Sequence, residues 1–168
     1  MTGSFEEYVT ARGAALVRFA RVLVGDQHRA EDLVQDALAR AYLRWNRILR
    51  TDQPDVYLRR AVLNGSRSWW RRGGSRERPV SQPVDRPAPG DIGVEAAERD
   101  ALWRQVSRLP DRQRAVMVLR YYEDLDDATI AAVLGCTPVT VRTHALRALT
   151  ALRAHYRTTD TTPTGSLT

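Results

Sequence analysis

Apolar residues recur at intervals of three and four through most of this chain, which is the spacing of one face of a helix. This pattern predicts a first helix that ends near Gly25 and a second that continues to Trp45. Their apolar faces consist of Phe5, Val9, Leu16, Phe19, Ala20 and Leu23, then Ala30, Leu33, Val34, Ala37, Leu38, Ala41 and Trp45. A third helix is predicted after Pro54, and its apolar face carries Leu58, Val62, Gly65 and Trp69.

The helical periodicity stops after the third helix, and a segment with four prolines follows. About 20 extended residues at ~3.1 Å each could span on the order of 60 Å, more than the width of either half. We therefore predict an all-α protein with two small helical domains, residues 1–72 and 97–156, joined by a flexible Pro-rich linker over 73–96. The Thr-rich residues 157–168 are predicted to form a disordered tail.

The range 125–153 contains two helical patterns joined by a tight turn. Asp126 is suited to cap the first helix, and Gly135 permits a sharp reversal of the backbone. Thr137 and Pro138 are typical of the start of a second helix. The apolar stripe of that helix consists of Val141, Ala145, Ala148 and Leu152. This combination predicts a helix-turn-helix, a unit whose second helix enters the major groove of DNA.

The second helix of this unit also carries side chains suited to DNA. Thr140, Arg142, Thr143 and Arg147 could contact phosphates and base edges from its N-terminal half. For this unit alone, an ordinary helical hairpin with a solvated arginine face is an equally simple interpretation. The rest of the chain has to decide between the two.

The distribution of charge along the chain favours a DNA-binding function. The net charge is +6, and all 26 basic residues are arginine, the side chain that forks onto phosphate and guanine. Residues 37–78 hold 11 Arg against 3 acidic residues, and residues 137–168 hold 4 against 1. Residues 1–36 and 79–136 carry net charges of −2 and −3, from 4 Arg against 6 acidic residues and from 7 against 10. Two separated basic blocks indicate two nucleic-acid contacts on one chain, with solvated surface charge as the alternative for each block taken singly.

The third predicted helix combines basic, aromatic and amide side chains, which is typical of surfaces that bind single-stranded or melted DNA. We assign Trp69 to the core and Trp70 to the rim of this surface. Its polar members are Arg59, Arg60, Asn64, Arg67, Arg71 and Arg72.

Several classes of site find no support in the sequence. Cys136 is the only cysteine, so no internal disulfide and no cysteine cluster for zinc is predicted, and no other metal or cofactor site is apparent. No apolar run approaches the length of a membrane span, and the acidic N-terminus does not look like a signal peptide. We therefore expect a soluble, cytoplasmic protein that does not contact membranes.

Three stretches of the sequence, in this order, closely resemble the extracytoplasmic-function sigma factors of the sigma-70 family. Within that family they resemble the actinobacterial SigE-like group. They read AEDLVQDALARAY, YLRRAVLNGSRSWWRR and LPDRQRAVMVLRYYEDL, the last continued by AAVLGCTPVTVRTHALRAL. The resemblance covers about residues 5–72 and 97–153. It implies a non-enzymatic factor that binds core RNA polymerase, recognises promoter DNA and helps to melt it.

The resemblance also implies roles for particular residues. The surface that docks on the clamp helices of the largest polymerase subunit corresponds to Asp32, Gln35 and Asp36. The loop that receives a flipped base of the minus-ten element corresponds to Arg50–Pro54, including Thr51 and Asp52, and flipping costs a few kcal/mol of unstacking. The other minus-ten contacts would be Asn64 on a base, with Arg59, Arg60, Arg67, Trp70 and Arg71 around it. The minus-thirty-five contacts would be Thr137, Thr140, Arg142, Thr143, Leu146 and Arg147.

Two other classes of protein are alternative interpretations of this sequence. A free-standing helix-turn-helix regulator, binding duplex DNA as a dimer, explains the C-terminal half but gives the acidic face and the basic-aromatic helix no role. An enzyme finds little support, because His144 and His155 would lie ~16 Å apart along one helix and no nucleophile–base pair is apparent. The sequence leaves open the promoter sequence, the inducing signal and whether an anti-sigma factor binds the protein.

Overall fold

The computed structural model describes residues 3–51, 53–72 and 92–159, and all regular structure in these ranges is helical. The helices are α1 Phe5–Val24, α2 Gln27–Tyr42, α3 Trp45–Thr51, α4 Pro54–Arg71, α5 Ile92–Ser107, α6 Asp111–Met117, α7 Asp127–Leu134 and α8 Pro138–Thr159, with a π-helical turn at Val118–Tyr122. The all-α prediction is confirmed. Within these ranges, none of the helices has the length and apolarity that crossing a membrane requires.

Local sequence signals set the first helix boundaries. The Ser4 hydroxyl accepts the Glu7 amide N–H at 3.1 Å, and the Glu7 carboxylate accepts the Ser4 amide N–H in return. This reciprocal capping box begins α1. Gly25 ends α1 with a φ of 74°, a left-handed conformation that favours glycine, and the Asp26 carboxylate then caps α2.

The prediction that the second helix continues to Trp45 is wrong. Helix α2 ends at Tyr42, and a separate helix, α3, begins at Trp45. The Trp45 indole is buried, stands edge-on to Phe5 and donates its N–H to the Gly3 carbonyl oxygen at 3.2 Å. These contacts hold Trp45 against the start of α1, and the helix breaks between Tyr42 and Trp45. The predicted loop from Arg50 therefore starts as helix, because α3 extends to Thr51.

The N-terminal half, residues 3–72, packs α1, α2 and α4 around a shared core. Phe19, Leu58 and Val62 are completely buried in it. Helices α2 and α4 approach closely at Gly65, where an added Cβ would lie 2.8 Å from a methyl carbon of Leu33. The start of α4 is held to α1 by Asp55, which accepts hydrogen bonds from Tyr8 at 2.7 Å and from Arg12 at 3.1 Å.

The C-terminal half, residues 92–159, is built around the predicted helix-turn-helix of α7 and α8. The predicted apolar stripe of α8 is buried throughout, and it consists of Val141, Ala145, Ala148 and Leu152. Helix α5 begins at Ile92, inside the range predicted as linker, and its Leu102 is 45% exposed. Tyr122, the last residue of the π-helical turn, is also exposed.

The two halves pack against each other in this structure. One continuous cluster of buried apolar side chains includes Phe19 and Leu58 from the N-terminal half and Val116 and Leu119 from the C-terminal half. Trp103 of α5 lies over the turn after α1, where a Cβ added to Gly25 would be 3.1 Å from the indole nitrogen. The predicted linker residues 73–91 and the tail residues 160–168 lie outside the described residues. The division into two domains therefore stays a prediction.

Truncation of Leu58 should strongly destabilise this core. Because Leu58 is completely buried, we expect Leu58→Ala to lower the free energy of unfolding by about 2–5 kcal/mol. Urea denaturation followed by circular dichroism would measure it. Leu43 is the matched control, since it is 82% exposed and its replacement by alanine should change stability by no more than about 0.5 kcal/mol. Equal effects of the two substitutions would contradict this placement of Leu58.

Candidate nucleic-acid and polymerase interface

Helix α2 has an acidic, exposed face and, on its opposite side, a buried face. Asp32, Gln35 and Asp36 are all exposed, and their spacing of three and four places them side by side. Val34 and Ala37 are buried on the opposite face. The structure thus brings together on one exposed face the three residues predicted to meet polymerase.

Helix α4 presents some of its predicted DNA-binding residues to solvent and buries others. Asn64, Arg60 and Arg71 are exposed, whereas Arg67 is half-buried and Arg59 is buried. Of the remaining two predicted minus-ten residues in this region, Thr51 is the last residue of α3 and Asp52 lies outside the described residues.

Three arginines of α4 contact the C-terminal half. Arg59 forms an ion pair with Glu123, with Nη2 2.7 Å from Oε2. Arg60 donates from Nε to the Val133 carbonyl oxygen at 3.2 Å and from Nη2 to the Ala132 carbonyl oxygen. Arg67 Nε lies 3.8 Å from a carboxylate oxygen of Asp111. These contacts join residues 44 to 73 positions apart in sequence, so no local pattern indicated them.

The tandem tryptophans at the end of α4 have different surroundings. Trp69 packs against the main core, as predicted. Trp70 is half-buried, and the guanidinium of Arg114 lies 4.5 Å from the centre of its ring. Burial lowers the pKa of Arg114, although the nearby Asp111 carboxylate acts in the opposite direction. Trp70 is therefore covered by a cation of the C-terminal half.

The helix-turn-helix has the local geometry that its sequence predicts. The Asp126 carboxylate accepts the Thr129 amide N–H at 2.7 Å, and this hydrogen bond lowers the pKa of Asp126. Gly135 ends α7 with a φ of 65° in the left-handed region. The Thr137 hydroxyl accepts the Thr140 amide N–H at 3.3 Å and caps α8. Each of these features was predicted from a single residue type at a fixed spacing.

The exposed face of α8 holds the predicted minus-thirty-five residues. Arg142, Thr143, Leu146 and Arg147 are exposed there, with Leu146 standing out as an exposed apolar residue. Thr137 and Thr140 lie at the start of the helix, with their hydroxyl oxygens 3.0 Å apart. Burial lowers the pKa of His144, which lies on the same helix, and the nearby positive charges of Arg112 and Arg147 lower it further.

Sequence reasoning missed an acidic residue next to α8, the second helix of the helix-turn-helix, which we call the recognition helix. Asp127, the first residue of α7, forms an ion pair with Arg120, and its other oxygen lies 3.5 Å from Nη1 of Arg142. The Arg142 side chain is 57% exposed, so it remains accessible beside Asp127. The pair joins positions 15 residues apart in different helices, and only the packing of α7 against α8 brings them together.

A cleft of about 250 Å³ separates α4 from α6 and α7. Its walls include Arg60, Asn64 and Arg67 from α4 and Asp111 and Arg112 from α6. Arg112 also donates to the Leu134 carbonyl oxygen at 2.7 Å. Asn64, the predicted base reader, therefore lines a space between the two halves whose walls are both polar and apolar.

Known protein families match both halves of the chain. The sigma-70 region 2 family matches residues 8–76, and the sigma-70 region 4 family matches residues 99–152. The chain is 42% identical to the RNA polymerase sigma-E factor of Streptomyces coelicolor, over 89% of this chain and 84% of the relative. It is 27% identical to the extracytoplasmic-function sigma factor SigW of Bacillus subtilis, over 80% of this chain and 79% of the relative.

Two solved structures share the fold. The sigma factor RpoE of Bartonella quintana, in complex with the anti-sigma factor NepR, aligns with a TM-score of 0.69 and 23% identity, over 91% of this chain and 96% of that one. The protein CnrH, in complex with the cytosolic domain of CnrY, aligns with the same TM-score and identity, over 92% of this chain and 88% of that one.

Proposed function

Because this chain belongs to the sigma-70 family, we propose that it divides polymerase docking, minus-ten contact and minus-thirty-five contact among three separate surfaces. As an RNA polymerase sigma factor of the extracytoplasmic-function, sigma-E type, it binds core polymerase and promoter DNA and has no enzymatic role of its own. Its place of action is the cytoplasm, where polymerase and chromosome meet.

The minus-thirty-five surface is the exposed face of α8. Arg142 and Arg147 project from α8, whose opposite side is buried in the core. The helix can therefore dock in the major groove without rearrangement of the core side chains. Guanidinium groups suit guanine edges or phosphates, and the Leu146 side chain suits a thymine methyl group. Thr137, Thr140 and Thr143 add hydroxyl groups near the backbone of the DNA.

We place the minus-ten surface on α4 and on the residues that precede it in the sequence. Asn64 supplies an amide that can pair with a base edge, and Arg71 is exposed at the end of the same helix. Arg59, Arg60, Arg67 and Trp70 complete a basic and aromatic surface that is suited to a displaced single strand. Thr51 and Asp52 stand at the predicted base-flipping loop.

The polymerase surface is the acidic face of α2. Asp32, Gln35 and Asp36 need a partner that is not DNA, because exposed carboxylates repel phosphate. A basic protein surface fits them, and we assign it to the clamp helices of the largest polymerase subunit. The single observation that carries this assignment is the exposure of all three residues of this acidic face beside two basic surfaces on the same chain.

An anti-sigma factor is a further proposed partner. Two of the structures with this fold contain a sigma factor or the related CnrH held by a second protein, NepR or the cytosolic domain of CnrY. We expect the corresponding partner of this chain to compete with polymerase for the protein.

A gel-shift assay distinguishes this function from that of a free-standing regulator. We expect a specific complex on promoter fragments only when core polymerase is added to the purified protein, because polymerase contacts stabilise the opened duplex. The assay would compare protein alone, polymerase alone and the mixture at one salt concentration. A specific and equally strong shift by the protein alone would favour the free-standing regulator.

A further inference from the structure

Asp127 lies between two arginines, and one of them is a proposed DNA contact. Its Oδ1 forms an ion pair with Arg120, in the π-helical turn, and its Oδ2 lies 3.5 Å from Nη1 of Arg142. The side chains of Asp127 and Arg120 are 23% and 26% exposed, whereas that of Arg142 is 57% exposed. The three charges therefore form a row from a partly buried turn to the exposed face of the recognition helix.

The Asp127 carboxylate is held in place independently of Arg142. Asp127 is the first residue of α7, where the free N–H groups of a helix favour negative charge. The ion pair with Arg120 holds the carboxylate from the other side. Helix α7 is fixed against α8 by buried side chains that include Ile130 and Val141. Asp127 can therefore orient Arg142 instead of following its motion.

A fixed orientation matters for an arginine that reads a base. Arginine is long and flexible, and ordering such a side chain on binding lowers affinity by on the order of two- to tenfold. A contact that exists before DNA arrives avoids part of this cost. A base edge requires two donors in one plane, whereas a phosphate accepts hydrogen bonds from many directions. Base recognition therefore gains more than phosphate binding from an arginine that is already oriented.

The contact with Asp127 also leaves the useful edge of the guanidinium available. It involves Nη1 of Arg142, so the edge formed by Nε and Nη2 can still donate to the two acceptors of a guanine. A carboxylate beside this edge repels phosphate groups. It therefore disfavours the other use of Arg142, as a contact to the DNA backbone.

We propose that Asp127 is a positioning residue for sequence recognition, which orients Arg142 toward a base edge and lowers its affinity for phosphate. The role of Arg142 at the minus-thirty-five element rests on the proposed function. Asp127 could instead serve only to stabilise the start of α7. In that case its removal would destabilise the protein and weaken binding to all DNA sequences alike.

Relaxation of arginine side-chain signals in nuclear magnetic resonance tests the orienting contact in the full-length protein. Arg142→Lys removes one signal and so assigns the Nε–H resonance of Arg142. We expect this group to be ordered, like that of the partly buried Arg120, and unlike that of the exposed Arg153 on the same helix. In Asp127→Asn it should become as mobile as Arg153. Equal mobility of Arg142 and Arg153 in the unsubstituted protein would overturn the proposal.

Promoter binding by polymerase assembled with each variant tests the effect on recognition. The probes would be promoter fragments in which each base of the minus-thirty-five element is replaced in turn. Arg142→Ala should reduce the preference for one base at one position by roughly 5- to 150-fold. Asp127→Asn should lose most of the preference at the same position. Its binding to unrelated DNA should rise, with a steeper salt dependence, because a carboxylate no longer opposes phosphate.

Two further variants make this test specific. Asp124→Asn removes the same charge from an exposed residue before α7, where a φ of 54° suits asparagine, and it should keep the base preference. In an Arg142→Ala background, Asp127→Asn should have no further effect on preference, since a positioning residue acts only through its partner. If Asp127→Asn is unfolded by circular dichroism, Asp127→Ser replaces it, because serine suits the start of a helix.

The outcomes separate this proposal from the proposed function. A folded Asp127 variant that keeps the full base preference, or that weakens all sequences alike, would overturn the positioning role and leave the proposed function intact. An unchanged preference in Arg142→Ala would instead contradict the minus-thirty-five assignment of Arg142, and the positioning role would fall with it.

Discussion

Charge reversal of the acidic face of α2, by Asp32→Arg together with Asp36→Arg, should abolish binding to core polymerase. Both side chains are exposed and make no contribution to the core, so the fold should survive. Like charges would then meet across the proposed interface with a basic clamp surface, and such juxtaposition costs several kcal/mol. A pull-down with core polymerase measures the loss, and circular dichroism checks the fold.

The matched control for this double substitution is Glu98→Arg with Asp100→Arg. These two side chains are also exposed and acidic, but they lie on α5. The change in net charge is identical, so a general electrostatic effect would appear in both variants. Undiminished polymerase binding by the folded Asp32 and Asp36 variant would show that the dock lies elsewhere.

Removal of either recognition-helix arginine, by Arg142→Ala or Arg147→Ala, should strongly reduce transcription from the cognate promoter. An arginine that grips a guanine with two hydrogen bonds supplies about 1–3 kcal/mol of discrimination. Stability should change little, because the Arg142–Asp127 pair is 3.5 Å long and exposed on the arginine side.

Salt titration of promoter binding distinguishes the two ways in which these arginines could act. Loss of a base contact would relax sequence preference at one position. Loss of a phosphate contact would weaken all sequences alike and reduce the salt slope by about one. Arg153→Ala, an exposed arginine two turns further along α8, is the control. Promoter output that stays at the original level for both Arg142 and Arg147 variants would contradict the assignment.

Local chemistry made much of the fold predictable. The positions of Asp126, Gly135 and Thr137 were enough to predict both ends of the turn in the helix-turn-helix, because each residue meets a requirement set within a few residues of it. The buried stripe of α8 followed from helical spacing alone. The family resemblance pointed to Asp32, Gln35 and Asp36, and the structure places all three on one exposed face.

Predictions from the sequence failed, or could not be made, where residues far apart in sequence determine the structure. Trp45 fits the apolar face of a continued α2, but it packs against Phe5 near the N-terminus and begins a new helix. Arg59 resembles a solvated DNA-binding residue, and nothing near it indicates Glu123, 64 positions later, as its partner. Helical spacing predicts which side of a helix is buried, but it does not predict which other helix will cover that side.

Run-off transcription with purified core polymerase on fragments of the source genome would show whether this chain directs polymerase to promoters. We expect transcripts that require both the protein and core polymerase, and that start downstream of a shared pair of sequence elements. We also expect these transcripts to disappear with the Asp32 and Asp36 double variant. Transcription that is the same with and without the protein, on every fragment, would contradict the conclusion that this chain directs polymerase to promoters.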